Sequence, residues 1–186
     1  MKLVVAITGA SGSPYAQRLL AALAESDHHV DIVLSPHAAE VAAAETGPLV
    51  IPPRFAVHPD NTMQVPFVSG SAKYDAMAIV PCSMGTLGRI AHGFSDSTIT
   101  RAADVFLKEK RKLLLVPREM PWNLVHARNV VTLIEAGALV LPASPSYYGQ
   151  PQTVQEVVDT VVARILDHLG VAHALSHRWK EAPGKE

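Results

Sequence analysis

The chain has a single cysteine in 186 residues, Cys82. That excludes an internal disulfide framework and points to a reducing compartment. Aromatic residues make up only 5% of the chain, which argues against an all-β sandwich and for layers of Ala, Val and Leu. Neither sign of charge dominates: 16 Lys and Arg face 17 Asp and Glu, for a net charge of −1. There is no nucleic-acid footprint and no acidic tail. No apolar run approaches the ~18 residues that a bilayer span requires. The first residues read as a strand and not as a leader peptide, so the cytoplasm is the expected location. The length predicts one domain over 1–186, with a frayed tail from about residue 180.

What is present is an alternation of short apolar runs and amphipathic segments. Residues 3–8, 30–34, 77–80, 113–116 and 138–141 predict strands buried on both faces. Helices are predicted over 15–24, 38–45, 86–91, 99–110 and 124–136, with Gly137 as a cap for the last of these. A further helix carries Val154, Val157, Val158, Val161, Val162, Ile165 and Leu169 on one face. Residues 47–71 hold five prolines and no clear period, an unusually long connection. This pattern predicts an α/β, doubly wound, mostly parallel sheet with helices on both faces. Ligands then bind at the carboxyl ends of the strands, where the sequence reads TGASGS, LSP, VPCSMGT, VPREMP and LPASPSYY.

These edges suggest specific chemistry. TGASGS lacks both the P-loop ending and the dinucleotide spacing. It reads either as an anion cradle at a helix N-terminus, helped by Ser11 and Ser13, or as a tight turn with a serine cap. CSMGT repeats small, hydroxyl-bearing residues at a second strand end, suited to a ligand with a phosphate and a polar ring. Cys82 is expected to be a small buried residue and not a nucleophile. VPREMP places Arg118, suited to bidentate phosphate contact, beside Glu119, able to move a proton. In the basic run, Lys110 to Lys112 read as a solvated helix end, whereas Lys108 is placed to face the same edge as Arg118. His173 and His177 read as surface residues, and no metal site is expected.

In combination, TGASG, SGS at 69–71, PCSMGTL, TRAADVFLKEKRKLLLVPREMP, EAGALVLPASPSYYGQPQT, VVARILDHLG and RW resemble the flavin prenyltransferase (UbiX-like) family over nearly the whole chain. The resemblance implies a flavodoxin-like (Rossmann-like) fold and a homododecamer built of trimers. It implies metal-independent transfer of a dimethylallyl group from dimethylallyl phosphate, mono- or diphosphate, to N5 and C6 of reduced FMN. The prenylated FMN would serve a UbiD-type decarboxylase. By the same resemblance Gly9, Ala10, Ser11, Ser35, Ser83, Met84, Gly85, Thr86 and Arg101 contact FMN. Lys108, Arg118, Tyr148 and Arg164 grip the donor's phosphate, with Trp179 near the site. Glu119, Ser11 and Glu45 carry the proton movements. Departures are Pro36 where lysine is common, Ser146 where glycine is common and Gly149 where histidine is frequent; Met63 and Phe67 are the candidates for the residue, often aromatic in the family, that packs on the flavin before the SGS segment. The alternatives are an FMN-dependent cysteine decarboxylase of the same superfamily, for whose histidine His37 comes early, and a non-catalytic flavin-binding subunit of a decarboxylase complex.

Overall fold

A computed structural model describes residues 1–175. Six strands build one parallel sheet: β1 (Lys2–Ile7), β2 (His29–Leu34), β3 (Ala56–Pro59), β4 (Ala76–Cys82), β5 (Lys112–Pro117) and β6 (Leu139–Val140). Their order is β3-β2-β1-β4-β5-β6, with every pair parallel. The chain winds outward from β1 in one direction and from β4 in the other. The switch point therefore lies between β1 and β4. Without the edge strand β3, the remaining five strands follow the flavodoxin-type order.

Helices α1 (Ser13–Ala24), α2 (Ala38–Glu45), α3 (Met84–Ala91), α4 (Thr98–Lys108), α5 (Leu124–Glu135) and α6 (Val154–Leu169) cover the sheet. The period-2 alternation of the strands divides the interior in two. Leu3, Val5, Ile7, Val30, Ile32, Ala78, Val80, Leu114 and Val116 pack under α1 and α6. Val4, Ala6, Val33, Met77, Ile79, Leu113 and Leu115 pack under α3 and α4. The valine and isoleucine face read from the sequence of α6 is buried at Val158, Val161, Val162 and Ile165. Gly137 follows α5 with φ 98°, a conformation that only glycine adopts without strain.

The structure departs from the sequence reading in several places. Within the proline-rich connection, β3 adds an edge strand, and Pro66–Val68 forms a 3-10 turn. β4 runs on through Pro81 to Cys82, because the ladder shifts register between Ile79 and Cys82 and needs no N–H from the proline. Arg111 is not merely solvated: Nη1 and Nη2 donate to the carbonyls of Ala72 and Gly70 at 2.7 and 2.6 Å. Its neighbour Lys112 donates to the His168 carbonyl at 2.6 Å. His173 lies under the end of α6, its side chain only 6% exposed and 3.1 Å from Asp167.

Beside the edge strand, β2 holds a buried charge. Asp31 accepts hydrogen bonds from Tyr74 Oη at 2.7 Å and pairs with His29 Nε2 and His58 Nε2, both at 2.8 Å. Burial opposes its ionisation, but these partners prevail and hold its carboxyl below the usual range. His58 belongs to β3, so this pairing fastens the edge strand to β2. Phe67 packs edge-on against His58 and Tyr74 beneath it.

Candidate functional site

At the carboxyl end of β1 the backbone must turn into α1 within a few residues. Gly9 makes this possible, because a Cβ there would lie 2.6 Å from the Cβ of His37. Gly12 takes φ 123° as the N-cap of α1 and offers no side chain to cap it. The cap comes from elsewhere. The Glu45 carboxylate, at the end of α2, accepts from the Gly12 N–H at 3.0 Å, the Ser13 N–H at 2.8 Å and the Ser13 hydroxyl at 2.7 Å. The Ser11 hydroxyl bonds it too. Burial works against this carboxylate, yet the four donors bring it down to about 2. The TGASGS turn is thus neither an open anion cradle nor a serine-capped turn. Its first amides are filled by a carboxylate, which the positive end of the helix favours.

The end of β5 reaches the same place. Arg118 Nε donates across the sheet to the Ser11 carbonyl at 3.0 Å. A cleft of ≈ 280 Å³ joins Ser11, Gly12, Tyr15, Glu45 and Arg118 to Ala143 and to the first turns of α6. Tyr15 was not expected there. Burial raises its phenol, neighbouring Tyr147 adds to the effect and Arg118 opposes it, so it remains a donor.

A second cleft, ≈ 330 Å³, lies on the other side of the β1 turn. Its lining includes four of the residues predicted to contact FMN, Gly9, Ser35, Ser83 and Thr86. Ser83 caps α3 by accepting from the Thr86 N–H at 3.2 Å. The amides of Met84 and Gly85, at the first two positions of the helix, have no intrahelical partner. A Cβ on Gly85 would meet only Ser83 Oγ, at 4.0 Å, so nothing in the chain itself requires glycine there. His37, Asp60, Arg89, Ser97 and Thr100 also line this cleft and were not anticipated. Asp60 lies in the proline-rich segment and caps α4, accepting from the Ile99 N–H at 2.7 Å. Burial raises its carboxyl. Cys82 is fully buried, which pushes its thiol up to about 12. It is inert, as read from the sequence.

Other predicted residues are not gathered here. Arg101 bonds the Val68 carbonyl at 3.2 Å and Asp104 at 2.8 Å, and it does not line the second cleft. Glu119 is exposed, with Oε1 accepting from the Met120 N–H at 3.0 Å. Tyr148 is exposed on the loop after β6. Lys108 does not face the edge of Arg118 within one chain. Helix α4 starts at the carboxyl edge, where the Thr98 N–H bonds Asp60, and ends before β5 begins. Ten residues of helix put Lys108 about 15 Å away, toward the amino edge. There it pairs with Glu109 at 2.5 Å. Arg164 is displaced in the same way: Val154 lines the cleft of Arg118, whereas Arg164 lies ten residues along α6, paired with Asp167 at 2.7 Å. Of the two candidates before the SGS segment, Phe67 is fully buried in the core and Met63 is 46% exposed. Trp179 lies outside the described residues.

The Flavoprotein family model matches residues 1–166. The UbiX flavin prenyltransferase of Thermoplasma acidophilum is 45% identical over 182 residues, covering 96% of this chain and all of the relative. That of Pseudomonas aeruginosa is 40% identical, covering 97% and 94%. Among solved structures, AnUbiX in complex with FMN and dimethylallyl pyrophosphate superposes with a TM-score of 0.92 at 36% identity, covering 98% of each chain. A dodecameric FMN-dependent UbiX-like decarboxylase from Escherichia coli O157:H7 gives 0.91 at 39% identity, covering 97% and 100%. An FMN-dependent cysteine decarboxylase, TvaF, shares 19% identity and the fold alone, at a TM-score of 0.63.

Proposed function

The chain belongs to the Flavoprotein family, among the flavin prenyltransferases of the UbiX type, and on that premise we propose how its own residues carry out the transfer. The activity is transfer of a dimethylallyl group from its phosphate ester to reduced FMN. The observation that carries the residue assignment is the shared turn. One β1 turn, Gly9 to Gly12, lines both clefts, with hydroxyls and free amides on one side and Arg118 on the other.

The second cleft fits the flavin. Gly85 leaves room for close approach to the first amides of α3, and Ser35, Ser83 and Thr86 supply hydroxyls. Bound reduced FMN supplies the nucleophilic N5 and C6 to which the dimethylallyl carbons bond as phosphate departs. The remaining chemistry belongs to the chain. Arg118, laid over the Ser11 carbonyl, offers its remaining donors to the ester's oxygens and stabilises the charge that develops on them. Glu45 orients the Ser11 hydroxyl beside the flavin; a carboxylate held at about 2 is too weak a base to store the proton itself. Glu119, next to Arg118 in sequence, accepts a proton on the phosphate side. The apolar wall of Ala143, Val157 and Val158 keeps water from the allylic carbon.

Lys108 and Arg164 join Tyr148 to complete the clamp in an oligomer, where the amino edge of one copy meets the carboxyl edge of another. A dodecameric relative and the ~15 Å separation within one chain support this reading. Prenylated FMN then passes to a UbiD-type decarboxylase in the cytoplasm.

The test is phosphate release under anaerobic conditions. Release that requires both reduced FMN and dimethylallyl phosphate supports the reading; release without flavin, or none, opposes it. Assemblies that mix Arg118→Ala with Lys108→Ala chains should recover activity above either parent, because some sites then receive both native cations. Mixed assemblies no better than their parents would remove the shared-site arrangement.

A further inference from the structure

A cation beside a flavin's phosphate strengthens its hold, and the arginine expected to contact FMN is engaged elsewhere. Arg101 holds the Val68 carbonyl and Asp104, and it is absent from the lining of the second cleft. Among the residues that do line this cleft, Arg89 is the one fixed cation. It lies three residues after Thr86 and four after Gly85, so all three share a face of α3.

We propose that Arg89 binds the phosphate end of the flavin nucleotide in the second cleft and makes the chain select FMN over riboflavin. The proposal rests on the flavin reading above and adds a residue to it. Arg89 is held in place from both sides: Nη2 pairs with Asp96, and the guanidinium stands 5.8 Å from the centre of the Phe94 ring. Among the described residues Asp96 is the only hydrogen-bonding partner of its side chain, so most of its five donors remain for a ligand. Beside it are the amides at the start of α3, approachable because Gly85 has no side chain. The start of α4 lines the same cleft through Ser97, Ile99 and Thr100. The open start of α3 and a forked cation face one volume, a combination that selects a phosphate over a neutral hydroxyl, whereas the first amides of α4 are already taken by Asp60 and Ser97. Asp60 lines the cleft as well, so without Arg89 the site turns against an anion.

The experiment compares FMN and riboflavin affinities by flavin fluorescence titration of the intact assembly. The wild-type chain should prefer FMN. Arg89→Ala should lose about 10- to 100-fold in FMN affinity, the worth of charge-assisted hydrogen bonds, with riboflavin affinity unchanged. Arg89→Lys should keep part of the preference. Asp96→Asn breaks the same ion pair but leaves the cation, so it should retain the preference. Equal losses for both flavins in Arg89→Ala, or loss of preference in Asp96→Asn, would show a merely structural role and overturn the proposal. A wild-type chain that binds both flavins equally overturns it too. A wild-type chain that binds neither overturns the flavin reading itself.

Discussion

Replacing Glu45 by glutamine keeps the shape of the side chain and removes its charge from the start of α1. The carboxylate accepts from two backbone amides and two hydroxyls, and its pKa falls from 4.5 to about 2. Unscreened, such a fall is worth about 3 kcal/mol. Glu45 is exposed, however, and solvent screening reduces this to about 1 kcal/mol. The sign follows from linkage: a carboxyl depressed on folding stabilises the fold above its unfolded value of 4.5, and that contribution is lost as pH falls toward about 2. Urea unfolding at fixed protein concentration should therefore find Glu45→Gln less stable by about 1 kcal/mol at pH 7, with the gap roughly halved by pH 3 and closing only toward pH 2. Loss of one native cap carries a similar cost. A gap that stays constant from pH 7 to pH 3, or no gap at neutral pH, would refute the assignment of this carboxylate as the ionised cap.

Four further outcomes are expected. Gly9→Ala should destabilise the chain by about 1–3 kcal/mol in thermal or urea unfolding, because the new Cβ lies 2.6 Å from His37 Cβ. Gly85→Val should leave the unfolding midpoint nearly unchanged but weaken FMN binding, since the side chain meets open space in the protein and blocks the ligand. Asp31→Asn removes a buried charge held by His29, His58 and Tyr74 and should cost about 3 kcal/mol, with β3 losing amide-exchange protection first. In steady-state kinetics Arg118→Ala should raise KM for the donor and Glu119→Gln should lower kcat; unchanged kinetics in both would undo their assignment.

Most of the fold is legible in the sequence because central parallel strands are apolar on both faces and the helices between them are amphipathic. The edge strand β3 carries neither signal. It is four residues long, ends at a proline and is exposed at Ala56, Val57 and Pro59. The clefts were foreseen where a strand ends in small residues, at Gly9, Ser35 and Ser83. Asp60 and Arg89 were not, because one hides in a proline-rich connection and the other reads as an ordinary helix charge. The misplacement of Lys108 has a simple geometric cause. A helix leaving the carboxyl edge of a parallel sheet must return to the amino edge, so its last turn lies about 15 Å from its first. Spacing along the chain is silent on whether another copy brings that turn back. The Glu45 cap joins residues more than 30 positions apart and has no local signature at TGASGS.

The central claim is that this chain builds a carbon skeleton onto reduced flavin while an anion is drawn off its allylic ester. Mass spectrometry of the flavin after anaerobic incubation of the assembly with reduced FMN and dimethylallyl phosphate tests it most directly. The account predicts a flavin heavier by one five-carbon prenyl unit, formed with one phosphate released per flavin. Recovery of unmodified FMN from an assembly that binds both compounds would contradict it.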